Sequence, residues 1–172
     1  MKRVTILIVI LGITSISLNA QEAQTRKEKK QEKRDKEFAA IDSLIESKTY
    51  RFDARKANPS SGQQVDLTTH SADLIIKNDS IESYLPFFGR AYNVAYGGAD
   101  SGIKFESLLT DYTLKKDSVK RTIDISFSAK SDYDTFKFNL SVTSSGSATL
   151  GIISINRAYI SYYGTVVPIK QK

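Results

Sequence analysis

Cysteine and tryptophan are absent from the chain, and histidine and methionine occur once each among 172 residues. Without cysteine there is no disulfide to staple a fold, no thiol nucleophile and no thiolate metal ligand. Stability must then come from core burial, which a domain of this size supplies. The single imidazole, His70, stands among Thr68, Thr69 and Ser71 with Asp66 and Asp73 nearby. No ligand spacing joins it to other carboxylates, and no Gly-x-Ser-x-Gly elbow supports a triad, so it reads as a solvated turn residue. Asp132 and Asp134 flank Tyr133, but the rest of a calcium loop is missing, which makes them turn residues as well. The glycines Gly97, Gly98 and Gly102 precede no helical segment, so they form no phosphate cradle. The expectation is a non-enzyme with no catalytic residue, no metal site and no cofactor.

Charge of one sign is also scarcer than the totals suggest. Lys and Arg number 25 against 19 Asp and Glu, a formal charge of +6. Residues 21–37 hold seven basic and five acidic side chains, and residues 38–172 hold sixteen and fourteen, the remainder being Lys2 and Arg3. A body so nearly balanced has no field strong enough to gather phosphate backbones, and no nucleic-acid partner is expected.

Long apolar runs are confined to the N-terminus. Met1-Lys2-Arg3 is a basic start, Val4 to Ile13 is almost wholly apolar, and Thr14 to Ala20 is small and polar. That is the layout of a secretory signal peptide over residues 1–20, cleaved after Ala20, although Leu18 sits where a smaller residue is usual. Val4 to Leu18 is shorter than the roughly 20 residues that a transmembrane helix needs, so the mature chain is expected to have no integral membrane segment. With no cysteine after the cut, a lipoprotein anchor is closed, and the expected location is periplasmic or secreted.

Beyond the leader the chain divides in two. Residues 21–37 interleave Lys and Arg with Glu and Asp and carry no apolar side chain longer than Ala23. Such an arm buries nothing and is either a solvated helix or a disordered tether, serving as a spacer or as a basic contact to an anionic surface. Residues 38–172 are expected to form a single antiparallel β-rich domain with an N-terminal helix. Phe38, Ile41, Leu44 and Ile45 have helical spacing, and the helix is expected to end near Ser47 or Lys48. From Thr49 the period becomes two. Ile123, Ile125 and Phe127 alternate with Asp124 and Ser126, and Phe136, Phe138, Leu140 and Val142 alternate with Lys137, Asn139 and Ser141. One wet and one buried face per strand, with short connections, specifies an antiparallel sheet and excludes crossover helices. Asn58-Pro59-Ser60-Ser61-Gly62 is expected to close the first strand, and Asn78-Asp79 to turn a hairpin. The fold class expected is α+β: one twisted antiparallel β-meander of seven to nine strands, open or curled into a half barrel, with the helix packed on it.

One segment departs from the pattern. Tyr84 to Phe105 holds six of the seventeen Phe and Tyr residues and four of the nine glycines. Pro86 and Gly89 shape its first turn, and Gly97 and Gly98 loosen its middle. Arg90, Tyr92 and Tyr96 combine apolar surface with directional hydrogen bonds and are the candidate ligand- or partner-binding residues. Phe87 and Phe88 are the candidate anchors. The opposing reading is a loop whose aromatics merely plug one end of the sheet.

Leu85-Pro86-Phe87-Phe88-Gly89-Arg90-Ala91-Tyr92, Tyr96-Gly97-Gly98 and Gly102-Ile103-Lys104-Phe105, with Ser145-Gly146-Ser147-Ala148, Ile155-Asn156-Arg157 and Ile160-Ser161-Tyr162-Tyr163-Gly164 near the end, resemble the signature of a bacterial family, domain of unknown function 4251. The resemblance spans roughly Tyr50 to Gly164. It implies an exported protein of Bacteroidetes-type bacteria and implies no activity. Two functions stay open: a non-catalytic binding module of the cell envelope for an apolar or glycan small molecule, and a structural protein that contacts another envelope protein through the 84–105 loop or a sheet edge. Neither the ligand nor the oligomeric state is legible.

Overall fold

Alternating side chains need a closed interior if both faces of the sheet are to be satisfied, and this chain provides one. The computed structural model describes residues 25–92 and 102–169. The expected leader, residues 1–20, and Tyr96, Gly97 and Gly98 lie outside them. The chain divides into two units, Met1–Glu37 and Phe38–Lys172. In the first, residues 25–37 are helical, residues 25–36 are exposed, and Lys36 pairs with Glu32 at 2.7 Å one turn away. Such i,i+4 pairs support an exposed helix by a few tenths of a kcal/mol each.

Among the described residues of the second unit, 38–46 are helical and nine strands follow: β1 (Thr49–Pro59), β2 (Val65–Asp66), β3 (Asp73–Lys77), β4 (Ser80–Leu85), β5 (Ile103–Asp117), β6 (Thr122–Lys130), β7 (Thr135–Thr143), β8 (Ser147–Ser154) and β9 (Ile160–Pro168). Every pairing is antiparallel. Strands β3 to β9 pair in chain order, and β9 then pairs with β1, from Tyr50↔Pro168 to Pro59↔Ile160. With β1 also paired to β3, eight strands close a barrel, and the two-residue β2 lies on β1 as an addition. This corrects the expected fold class. The protein is mostly β, and the sheet is a closed eight-stranded barrel rather than a meander left open or curled into a half barrel. Closure satisfies the edges that a meander of this length leaves exposed.

A break in β1 makes the closure possible. The register shifts between Ala54↔Gly164 and Lys56↔Tyr163, and the buried positions change phase from Tyr50, Phe52 and Ala54 to Ala57. This bulge lets β1 bend and continue to Pro59, within the 58–62 segment expected to close it. At Gly164 the backbones meet: a Cβ there would collide with the Asp53 carbonyl oxygen and lie 2.9 Å from its carbon. The 78–79 turn also differs in detail from the expectation, since Asn78 has positive φ and Asp79 does not.

Eight strands leave an interior that side chains can fill. Tyr50, Phe52, Phe127, Phe136, Phe138 and Tyr162 are fully buried there with Leu74, Ile76, Ile81 and Leu85. An aromatic series runs inside the wall: Phe105 stacks on Phe136 at 5.2 Å, Phe127 on Phe138 at 5.0 Å, and Tyr112 on Phe127 at 6.2 Å. The outward row of β7 is polar and exposed, the reverse of a membrane barrel, whose outer band is apolar. No helix among the described residues is long and apolar enough to cross a membrane.

The 38–46 helix covers one end. Ile45 is buried, and Phe38, Ile41 and Leu44 pack half-buried against the core. Ile41 approaches Gly146 in the β7–β8 turn. Lys116 on β5 lies 2.6 Å from Asp42 and 2.5 Å from Glu46, which fixes the helix over the ends of β5, β7 and β9. The opposite end carries the loops that leave β4 and join β6 to β7 and β8 to β9.

Candidate binding end of the barrel

The chain leaves β4 through Leu85, which is buried, and Pro86, whose carbonyl accepts a hydrogen bond from the Tyr162 hydroxyl at 2.8 Å. Tyr162 thus fills the interior with its ring and ties the loop with its oxygen. Burial pushes its phenol above the usual value, so it donates as a neutral hydroxyl. Phe87 comes next and turns inward to a buried position. Gly89 makes room for it, since a Cβ on Gly89 would lie 2.5 Å from the Phe87 ring. Residues 90–92 then lie against the β8–β9 turn. Ala91 bridges Arg157, the Tyr92 amide donates to the Asn156 carbonyl at 2.8 Å, and the Ala158 amide donates to the Arg90 carbonyl at 2.8 Å.

Arg157 is the hub of this end. Its guanidinium lies 5.2 Å from the Phe87 ring centroid, it donates to the Gly102 carbonyl at 3.2 Å, and its Nε is 3.9 Å from the Asp134 carboxylate. Asp134 has a side chain only 6% exposed and accepts a 2.5 Å hydrogen bond from Ser154. The Asn156 side-chain amide donates to the Tyr133 carbonyl at 3.0 Å. One guanidinium therefore joins three connections, because its planar fork can serve a carboxylate, a carbonyl and a ring face together. The sequence selected neither Asp134 nor Arg157 as a site residue. Asp134 read as a turn residue, and Arg157 appeared only within the family signature; a separation of about twenty residues, the length of a strand pair, is the signal that could have joined them.

Above that framework, large side chains face solvent. Phe88 and Tyr159 are about half exposed, and Tyr92, Tyr133 and Ile155 are 66%, 76% and 84% exposed. Arg90 is exposed beside them. The structure thus brings Arg90 and Tyr92 to one rim with Tyr133, Ile155 and Tyr159, which the sequence reading did not select. Tyr133 was visible as an aromatic between two turn acids, and Ile155 as an apolar residue at a turn. Phe87 packs as an anchor, while its neighbour Phe88 faces out. His70 sits exposed in the 67–70 turn, with Thr69 Oγ1 3.1 Å from its Nδ1. Among the described residues, no three His, Asp or Glu side chains gather into a metal-binding group.

Residues 32–166 match the family described as domain of unknown function 4251 (DUF4251). The chain belongs to this family. No curated protein matches it. Among solved structures, the crystal structure of a DUF4251 family protein from Bacteroides eggerthii DSM 20697 is similar, with a TM-score of 0.60, 17% sequence identity, and coverage of 77% of this chain and 87% of that one. At that identity the likeness speaks for the fold alone. DUF4251 carries no activity in its description, so the chemistry rests on the residues above.

Proposed function

We propose that this DUF4251 protein is an exported, non-catalytic binding module of the cell envelope, and that it engages a glycan through the loop end of the barrel. The observation that carries the reading is the exposure of Tyr92 and Tyr133 with Arg90 at the loop end, beside a half-exposed Tyr159 whose ring leans on β8 at Gly151. The barrel interior is occupied by its own aromatics, so a partner is sought on the surface, and the loop end is where exposed aromatics stand beside an arginine. Tyrosine presents a flat apolar face and a hydroxyl at little entropic cost, and arginine adds directed donors, a combination suited to polyhydroxylated rings. Export rests on the residues 1–20 leader. The absence of cysteine after it agrees with a chain that is not lipid-anchored.

The test is an array of bacterial envelope polysaccharides probed with the mature protein and with a Tyr92→Ala/Tyr133→Ala variant. Binding that the variant loses while keeping its melting temperature supports the reading. Capture of an envelope protein with no glycan bound would instead favour the interaction-protein reading, to which the wholly apolar and 84% exposed Ile155 lends some weight.

A further inference from the structure

The charges of the first unit interleave along the sequence, and the helix sorts them. Residues 25–37 are helical and hold seven basic and four acidic side chains. Successive residues of an α-helix project about 100° apart. On that wheel Arg26, Lys29, Lys30, Lys33 and Arg34 share one side, and Lys36 and Lys27 stand at its two edges, an arc of about 180° in all. Glu28, Glu32 and Asp35 fall together on the opposite side, within about 60°. The uncharged Thr25 and Gln31 mark the two boundaries, and Glu37 is the single acid on the basic side. A mixture that is nearly even in sequence is therefore a cationic half-cylinder on the helix, and the small net charge of the segment conceals it.

This face is not spent on folding. Residues 25–36 are exposed, and no aliphatic or aromatic side chain occurs among residues 25–37. Two ion pairs touch the arc: Lys36 with Glu32 at 2.7 Å, across one boundary, and Lys33 with Glu37 at 3.8 Å. Exposed pairs of this kind contribute little and give way to a stronger counter-charge.

We propose that the basic face of residues 25–37 docks on the anionic phospholipid headgroups of a membrane. A plane meets half of a cylinder, and half is what the cations occupy; a single polyanion strand would touch a narrower stripe and leave Lys27 and Lys36 unused. With the face down, Glu28, Glu32 and Asp35 point away from the surface. Lacking apolar side chains, the helix rests among the headgroups and does not enter the hydrocarbon. Each basic side chain held near such a surface strengthens binding by about fivefold, provided that it lies within a Debye length, about 8 Å at physiological salt. The inference is independent of the glycan reading, which uses the loop end of the barrel.

The experiment sediments the mature protein with vesicles of phosphatidylcholine, alone or with roughly one-third phosphatidylglycerol, and tests soluble polygalacturonate as a polyanion that is not a membrane. The deciding variant, Glu28→Lys/Lys30→Glu/Glu32→Lys/Lys33→Glu, keeps composition and net charge and destroys the sorting. The parent should bind the anionic vesicles at least tenfold more tightly than the neutral ones and should be released when salt rises from about 0.05 M to about 0.5 M. The rearranged variant should melt with the parent and lose at least tenfold in vesicle affinity. Lys30→Gln/Lys33→Gln, which exchanges good helix formers for one another, should lose at least tenfold as well, so a rearrangement that unwinds the helix still leaves a deciding measurement. Tyr92→Ala/Tyr133→Ala should bind vesicles as the parent does, which separates this result from the fate of the glycan reading. Equal affinity for neutral vesicles, full affinity in the glutamine variant, full affinity in a rearranged variant of unchanged helix content, or binding of polygalacturonate without binding of vesicles would each overturn the proposal.

Discussion

The two ends of the barrel are closed by different means. At the helix end, Ile45 is buried and Phe38, Ile41 and Leu44 cover the core, with the charges of Lys116, Asp42 and Glu46 paired above them. At the loop end, closure depends on polar fastening: Tyr162 to Pro86, Arg157 to Gly102 and Asp134, and the 90–92 segment to the 156–158 turn. An apolar lid leaves little surface for a partner, because its stabilisation comes from hiding it. Hydrogen-bonded loops need few apolar contacts to stay in place, so their aromatics are free to face out. This difference puts the glycan reading at the loop end.

Both ends depend on one wall, and the largest expected effect tests that wall. Ala54, Gly164 and Ala148 lie in register where β1, β9 and β8 meet. A Gly164→Val variant forces β1 from β9 and should lose more than about 4 kcal/mol in denaturant unfolding. A loss below about 1 kcal/mol would mean that the wall is not closed there. Next comes Phe87→Ala, which removes an aromatic anchor buried under Arg157. The expected loss is about 3 kcal/mol, and a neutral outcome would make the fastening at the loop end wholly polar.

Alkali should weaken both ends together. Burial is the first cause holding the Tyr50, Tyr112 and Tyr162 phenols above the usual value. Below about pH 10 all three are protonated whether the chain is folded or not. Above it the unfolded chain ionises them while the folded chain resists, so stability falls with rising pH, by up to about 1.4 kcal/mol per pH unit for Tyr50 and for Tyr162 and by less for the half-buried Tyr112. The Lys116 pairs with Asp42 and Glu46 hold that ammonium above its usual value, and they too are lost as pH rises past about 10.5. Melting curves between pH 8 and 11 should decline, and Tyr50→Phe should flatten the decline. An equal slope in that variant would place the Tyr50 ring nearer to water than its burial indicates.

The hairpins were legible because alternation is a local property. Ile123 to Val142 announces β6 and β7 within twenty residues, and Phe38 to Ile45 announces the helix face. Closure was not legible. The Tyr50↔Pro168 partners are more than a hundred residues apart, and the bulge after Ala54 broke the very alternation by which β1 could have been followed to Pro59. The rim was half legible for a similar reason. Arg90 and Tyr92 stand in an unusual aromatic and glycine-rich segment, whereas Tyr133, Ile155 and Tyr159 are single residues at ordinary turns, and only the barrel brings them to one end. Arg157 could not be read as a hub because its partners Phe87, Gly102 and Asp134 come from separate connections.

The smallest expected effect on stability separates the framework from the surface it presents. Arg90 and Tyr92 contribute backbone hydrogen bonds to the 156–158 turn, which any residue but proline can make, while their side chains face solvent. Arg90→Ala and Tyr92→Ala should each change stability by less than about 0.5 kcal/mol, the usual range for exposed positions. Arg157→Ala, by contrast, strips Asp134 of its cation and Phe87 of its cover in one step, and a buried carboxylate left without its partner is costly. A thermal melt of the three variants therefore divides the loop end into layers. If Arg90→Ala or Tyr92→Ala falls as far as Arg157→Ala, the exposed row is part of the fastening, and the surface offered to a glycan shrinks to Tyr133, Ile155 and Tyr159.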